Sequence, residues 1–196
     1  MTRLRTSVIT ALAGLLLGIP QPAQAQNSAG EFAAGWRVLH FEDETFSRGW
    51  YADVLGSLTD SLGLVGEVSG HYRTIDETRV VAGFPVGVSA DLRIHSFMGG
   101  IRFSARRNPQ IVPFGQATLG LVHGSASIEG STVVGGRTIT VDESESDSDT
   151  AFELGGGVNV AVTDNLGLQF GASYFRVIEE DASNSVRFAV GVVFPF

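Results

Sequence analysis

Val186-Arg-Phe-Ala-Val-Gly-Val-Val-Phe-Pro-Phe196 closes the chain. Val186, Phe188, Val190, Val192, Phe194 and Phe196 fall on one side of a strand. Arg187, Ala189, Gly191, Val193 and Pro195 fall on the other. Side chains alternate with a period of two in a strand, so one face is apolar and aromatic and the other small or polar. That pattern suits a strand lying between lipid and a packed interior. A soluble domain rarely ends on such a segment without something to cover it.

The opposite end supplies the second clue. Arg3 and Arg5 precede an apolar run, Val8 to Ile19, and Ala23-Gln24-Ala25 has the form of a cleavage site. Residues 1–25 therefore read as a cleaved secretory signal peptide. The run is 12 residues long, whereas a spanning helix needs about 20. No later segment is a long uninterrupted apolar run. The mature chain, residues 26–196, thus forms one domain that is either soluble or crosses a membrane as strands.

Glycine supplies 25 residues, roughly twice the usual ~7% share, as expected where strands bend around a narrow barrel. Cysteine is absent, so stability must come from the sheet and not from disulfides. All 13 basic residues are arginine, and removing Arg3 and Arg5 leaves 11 against 21 acidic residues, a net charge of −10. Nucleic acid, which requires a basic stripe, is excluded as a partner.

Period-two reading gives eight strands: 35–42, 49–58, 62–73, 91–105, 111–127, 150–162, 166–178 and the C-terminal one. Thr59-Asp60-Ser61, Arg106 to Gln110 and Thr163-Asp164-Asn165 are tight polar turns. Glu77 to Ala90 and Glu129 to Asp149 are long connections, expected as loops. Val133 to Val141 also alternates, which would carry strands five and six outward as a hairpin around Gly135-Gly136. Short and long connections that alternate over an even number of strands describe an all-β, eight-stranded antiparallel up-and-down transmembrane β-barrel. Closure is compulsory, because no water in hydrocarbon can satisfy a free sheet edge. The rival is a soluble eight-stranded barrel of the lipocalin type. The interleaving of Asp53, Glu67, His71, Arg102, Glu153, Asn159 and Gln169 with glycine argues for a polar interior and against that rival.

The chain resembles the small outer-membrane β-barrel proteins of the OmpA/OmpX type, a group that includes porin-family and outer-membrane β-barrel domain proteins. Gly49-Trp-Tyr-Ala52, Leu62 to Val68, Ser96 to Ser104, Val112-Pro-Phe-Gly115, Phe152 to Gly157 and Phe196 carry the resemblance. It implies location in the cell outer membrane, with outer-membrane lipids and lipopolysaccharide as surroundings. It also implies insertion by the outer-membrane assembly machinery, with Phe196 as the C-terminal assembly signal. Because the chain stops at Phe196, no peptidoglycan-binding domain is expected.

Inward charges must be paired or hydrated. Asp53, Glu67, Arg102 and Glu153, joined by Arg37, are expected to form a polar network in the lumen, read as a packing plug with a gate or ion path as the alternative. Asp142 to Asp149 is read as a solvated acidic surface loop, with weak divalent-ion bridging as its alternative. It lacks the glycine and terminal glutamate of a calcium loop. His40, His71, His95 and His123 form no metal motif, and no metal or other cofactor is expected. His123 and Ser125 share a strand face, with Glu129 or Glu143 beyond, a layout similar to the outer-membrane lipid A deacylases. Trp36, Trp50, Tyr51, Tyr72 and Tyr174 are assigned to interfacial girdles. The resulting expectation is a non-enzymatic, monomeric barrel with a structural or surface-interaction role. A narrow passive channel is the alternative, and a lipid A deacylase comes third.

Overall fold

A computed structural model describes residues 30–41, 45–81, 84–134, 137–178 and 184–196. Eight antiparallel strands form one closed sheet. They are β1 (Gly30–Phe41), β2 (Thr45–Phe46 continued as Arg48–Ser57), β3 (Leu62–Val81), β4 (Phe84–Ser104), β5 (Ile111–Val134), β6 (Arg137–Thr163), β7 (Leu166–Ile178) and β8 (Asn184–Pro195). Each strand pairs with the next, and β1 pairs with β8 from Glu31↔Pro195 to Phe41↔Ser185. Mutual backbone hydrogen bonds between Gly30 and Phe196 complete the seam, at 3.0 and 2.9 Å. Ser47 is the extra residue between two registers of β2 on β1, Leu39↔Phe46 and Trp36↔Trp50. The signal-peptide reading falls on residues 1–25, outside the described residues.

Closure brings backbones together where no side chain fits. Gly35 and Gly191 lie opposite each other across the β1–β8 seam. A Cβ on Gly35 would overlap Val190 and Gly191 backbone, and one on Gly191 would overlap Ala34 O.

The strand faces obey the alternation read from the sequence. Phe97, Ile101, Leu119, Leu121, Leu154, Phe170, Phe188 and Val190 point outward and are exposed, Leu121 by 61%. Arg37, Asp53, Glu67, Arg102, Glu153, Gln169 and Arg187 point inward and are buried. An apolar exterior around a charged interior is the inverse of a soluble barrel and matches a wall in contact with lipid. Tyr51 corrects one expectation. It is 1% exposed and lies inside the barrel instead of in an interfacial girdle, because it shares parity with Asp53.

The three short turns stand as read. Thr59 Oγ1 accepts from the amides of Ser61 and Leu62, and Asn108 Oδ1 accepts from Gln110 N at 2.9 Å. Such side-chain caps are what Thr and Asn supply in turns. The long connections are not loops. Glu77 to Ala90 and Glu129 to Asp149 are largely strand. β3 and β4 stay paired out to Val81↔Phe84, and β5 and β6 out to Val134↔Arg137. Gly135-Gly136, the expected hairpin turn, lies outside the described residues.

A run of Ser, Thr and carboxylates reads as loop when no apolar face betrays a strand. Here the neighbouring strand supplies the ladder instead. Strands β3 to β6 are 20, 21, 24 and 27 residues long, against the ~9–11 needed to span a bilayer. Pairing of β2 to β3 ends at Arg48↔Tyr72, and β7 to β6 at Thr150↔Ile178. Beyond the barrel rim β3–β6 therefore continue as a four-stranded sheet, which extends from Tyr72 to Val81 on β3, roughly 30 Å at the usual strand rise.

Candidate functional site: the charged lumen

Alternation determines which residues point inward, and the barrel's closure determines which of them meet. Arg37 on β1 binds Glu67 on β3 through both terminal nitrogens, Nη2 reaching Oε2 at 2.8 Å. Arg102 on β4 donates through Nη2 to Asp53 Oδ2 on β2 at 2.9 Å, and through Nε to Gln116 Oε1 at 2.9 Å. Arg187 on β8 donates to Glu153 Oε2 on β6 at 2.8 Å. Arg37 Nη1 stands 4.0 Å from the same oxygen, which joins the first and third pairs. Each pair skips one strand, so curvature brings its members together, not lateral register.

Toward the termini the network turns mostly neutral. Tyr51 donates to Gln169 Oε1 (2.9 Å), Gln169 to Asn159 (3.1 Å), and Asn159 to Glu31 (3.1 Å). Arg106 donates to the other oxygen of Glu31 at 2.7 Å. Aromatic rings cover the guanidinium faces. Arg187 lies 3.4 Å from the centroid of Phe175, Arg37 4.6 Å from Tyr51, and Arg102 4.6 Å from Phe114. This is the cation–π arrangement, strongest where water is excluded. At the hairpin end Met98, Val122, Ala151, Phe175 and Val177 pack together over the charges.

Three guanidiniums and three carboxylates thus cancel at mid-lumen, and the space left among Arg37, Asp53, Arg102, Glu153 and Arg187 is a cavity of about 20 Å³. That is room for about one water. The arrangement fills and neutralises the middle of the lumen.

Of the residues singled out from sequence, Asp53 and Arg102 meet each other. Glu67 meets Arg37, which was expected to join them, and Glu153 meets Arg187, a cation outside the expected set. The signal for Arg187 is nevertheless present in the sequence. Arg37 and Arg102 facing Asp53, Glu67 and Glu153 leave one anion over, and Arg187 is the inward arginine of the last strand. His71, expected on the polar inner face, is there and is 0% exposed. Its ring lies where a Cβ on Gly49 would fall, 2.7 Å from His71 Cδ2.

The remaining histidines bind hydroxyls. His40 pairs with Thr45, His95 with Tyr72 at 3.1 Å, and His123 with Ser148 at 2.8 Å. His123 thus engages Ser148 on β6, while Ser125, two residues along its own strand, is about 7 Å away by strand rise. Among the described residues no three His, Cys, Asp or Glu side chains gather as metal ligands. Glu143, Glu145 and Asp147 are exposed in a row along β6, about 7 Å apart, and do not converge. Phe196 is exposed at the lipid-facing end of the seam.

A family model described as "Outer membrane protein beta-barrel domain" matches residues 10–196. Ail, the attachment invasion locus protein of Yersinia pestis, has the same fold. Its structure in complex with the heparin analogue sucrose octasulfate gives a TM-score of 0.56 at 21% identity, over 87% of this chain and 100% of that one. Neisserial surface protein A gives 0.53 at 14% identity, over 85% and 96%. Likeness at these identities concerns the fold. No curated protein matches the chain.

Proposed function

Because the chain belongs to the outer membrane protein beta-barrel domain family, we propose that it is a non-enzymatic surface protein whose working part is the β3–β6 sheet. The observation that carries this reading is the division of the molecule. The lumen is closed by a charge-neutral, hydrogen-bonded network, while four strands run far past the length a bilayer requires. A lumen so filled favours a packing plug over a conducting path. In this reading residues 1–25 are removed on export, the short turns and both termini face the periplasm, and the sheet stands outside the cell.

The barrel is monomeric in this reading, since its membrane-embedded wall is closed and leaves no edge to pair within the lipid. Phe196 serves as the assembly machinery's recognition signal. Lipopolysaccharide is the natural neighbour of the outer rim. There the exposed Arg48 and Arg93 flank Tyr72 in one lateral row, and Trp50 Nε1 donates to the Tyr72 hydroxyl at 3.2 Å.

The chain has no cysteine, so single substitutions give unique labels. Ser146→Cys should react with a membrane-impermeant maleimide on intact cells, and Asp60→Cys only after the outer membrane is permeabilised. The reverse pattern overturns the orientation. Purified barrel in planar bilayers should show no conductance steps. Reproducible steps would replace the plug by the passive-channel reading.

A further inference from the structure

The inward face of the barrel does not end at the rim. Extending the same parity into the β3–β6 sheet gives three consecutive rows across it: His71–Ile94–Gly124–Asp147, Arg73–Leu92–Ala126–Glu145 and Ile75–Ala90–Ile128–Glu143. The two middle strands of this face are apolar, and the β6 margin is a file of carboxylates. The other face reads Tyr72–Arg93–Ser125–Ser146, Thr74–Asp91–Ser127–Ser144 and Asp76–Ser89–Glu129–Asp142. It is polar throughout and stitched by its own hydrogen bonds. Thr74 donates to Asp91 and Ser89 to Asp76, both at 2.7 Å, and His123 meets Ser148.

One face therefore suits water and the other does not. An antiparallel sheet with one apolar face ordinarily packs it against something. The Thr45–Phe46 segment covers its base, where Arg73 lies over the Phe46 ring, but farther out the face is open, and Ile128 is 49% exposed. The margin selects the occupant. No cation among the described residues pairs with Glu143, Glu145 or Asp147. Arg73, at the opposite margin, is already engaged over the Phe46 ring. A phosphate-bearing lipid would be repelled by the acidic file. A second copy would bring the same file and a mature chain with 11 basic against 21 acidic residues, a net charge of −10.

We propose that this face docks a polypeptide segment of another protein, one that presents an apolar stripe bordered by lysine or arginine. The stripe covers Leu92, Ala126 and Ile128, and its cations meet Glu143, Glu145 and Asp147. Strand side chains on one face recur about every 7 Å. A helix with basic residues four apart, at about 6 Å, or a strand with basic residues two apart meets that spacing. The inference deepens the surface role proposed above and rests on it for biological setting, but its test does not depend on orientation in the cell.

The test uses the full mature barrel in zwitterionic nanodiscs, where both ends are accessible. The probe is a fluorescent Leu/Lys amphipathic peptide, with a Leu/Glu peptide of equal length as control. Binding of the Leu/Lys peptide should weaken at least tenfold in Ile128→Asp and in the triple variant Glu143→Gln, Glu145→Gln, Asp147→Asn. It should be unchanged in Asp91→Asn on the polar face. An environment-sensitive dye on Ala126→Cys should shift to the blue on binding, and one on Ser127→Cys should not. Loss in the triple variant with none in Ile128→Asp, or equal dye responses on both faces, would reduce the effect to general charge attraction and overturn the proposal. So would equal binding of the Leu/Glu peptide. A labelling result that reverses the orientation would defeat the surface role and leave this docking measurement standing.

Discussion

Replacing Arg187 with methionine isolates the value of one lumen pair. Arg187 is wholly buried, donates to Glu153 at 2.8 Å and stacks on Phe175. Methionine of similar length keeps the apolar packing and removes the charge. Glu153 would then keep only Arg37, whose Nη1 is 4.0 Å away and already bound to Glu67. Breaking a buried pair by removing one member costs about 3–5 kcal/mol, and losing a desolvated cation–π contact adds up to about 2. The distant Arg37 offsets part of this, so about 3 kcal/mol is expected.

Urea titration of the barrel refolded in phospholipid vesicles, followed by tryptophan fluorescence, reads this directly. With a slope of about 1–3 kcal/mol per molar, the midpoint should fall by about 1–3 M. The double variant Arg187→Met, Glu153→Met removes both charges and should recover to within about 1 kcal/mol of the parent, because an apolar pair of like volume is commonly no worse than the ion pair. The reasoning fails if the single variant costs under about 1 kcal/mol. It fails equally if the two substitutions simply add, since additivity would mean the groups do not interact.

Two further outcomes follow from the wall and the seam. Ile101→Arg places a cation on the lipid face and should cost about 2–4 kcal/mol if that level lies near the bilayer centre, whereas Ser146→Arg on the hairpin sheet should stay within about 0.5. Equal costs in the same vesicle titration would mean that the hairpin is not in water. Phe196→Ala keeps the backbone bonds to Gly30 and should leave refolding in vesicles intact while lowering the folded fraction in cells. Undiminished folded protein on unheated gels of whole membranes would show that the terminal ring is not read during assembly.

Strand number, the alternation of wall faces and the three short turns are legible in the residues alone. Strand parity is a local property, and the contrast between Phe97, Ile101, Phe103 and Ser96, Arg102 needs no knowledge of neighbours. It also revealed that the interior is charged. Parity carries no information about height along the barrel axis, so it could not say that Arg37 meets Glu67 and Arg187 meets Glu153. Those levels depend on the stagger with which β1 closes on β8 and on curvature that joins strands two apart. Tyr51 is a different case: its parity with Asp53 already puts it inside, and only its aromatic ring suggested an interfacial place. The acidic stretch before Asp149 gave no strand signal, because both of its faces are hydrophilic. Only the ladder from Val122↔Asp149 to Val134↔Arg137, supplied by a partner strand, made it a sheet. A residue's face follows from its own backbone, whereas the residues it meets follow from how the whole sheet closes.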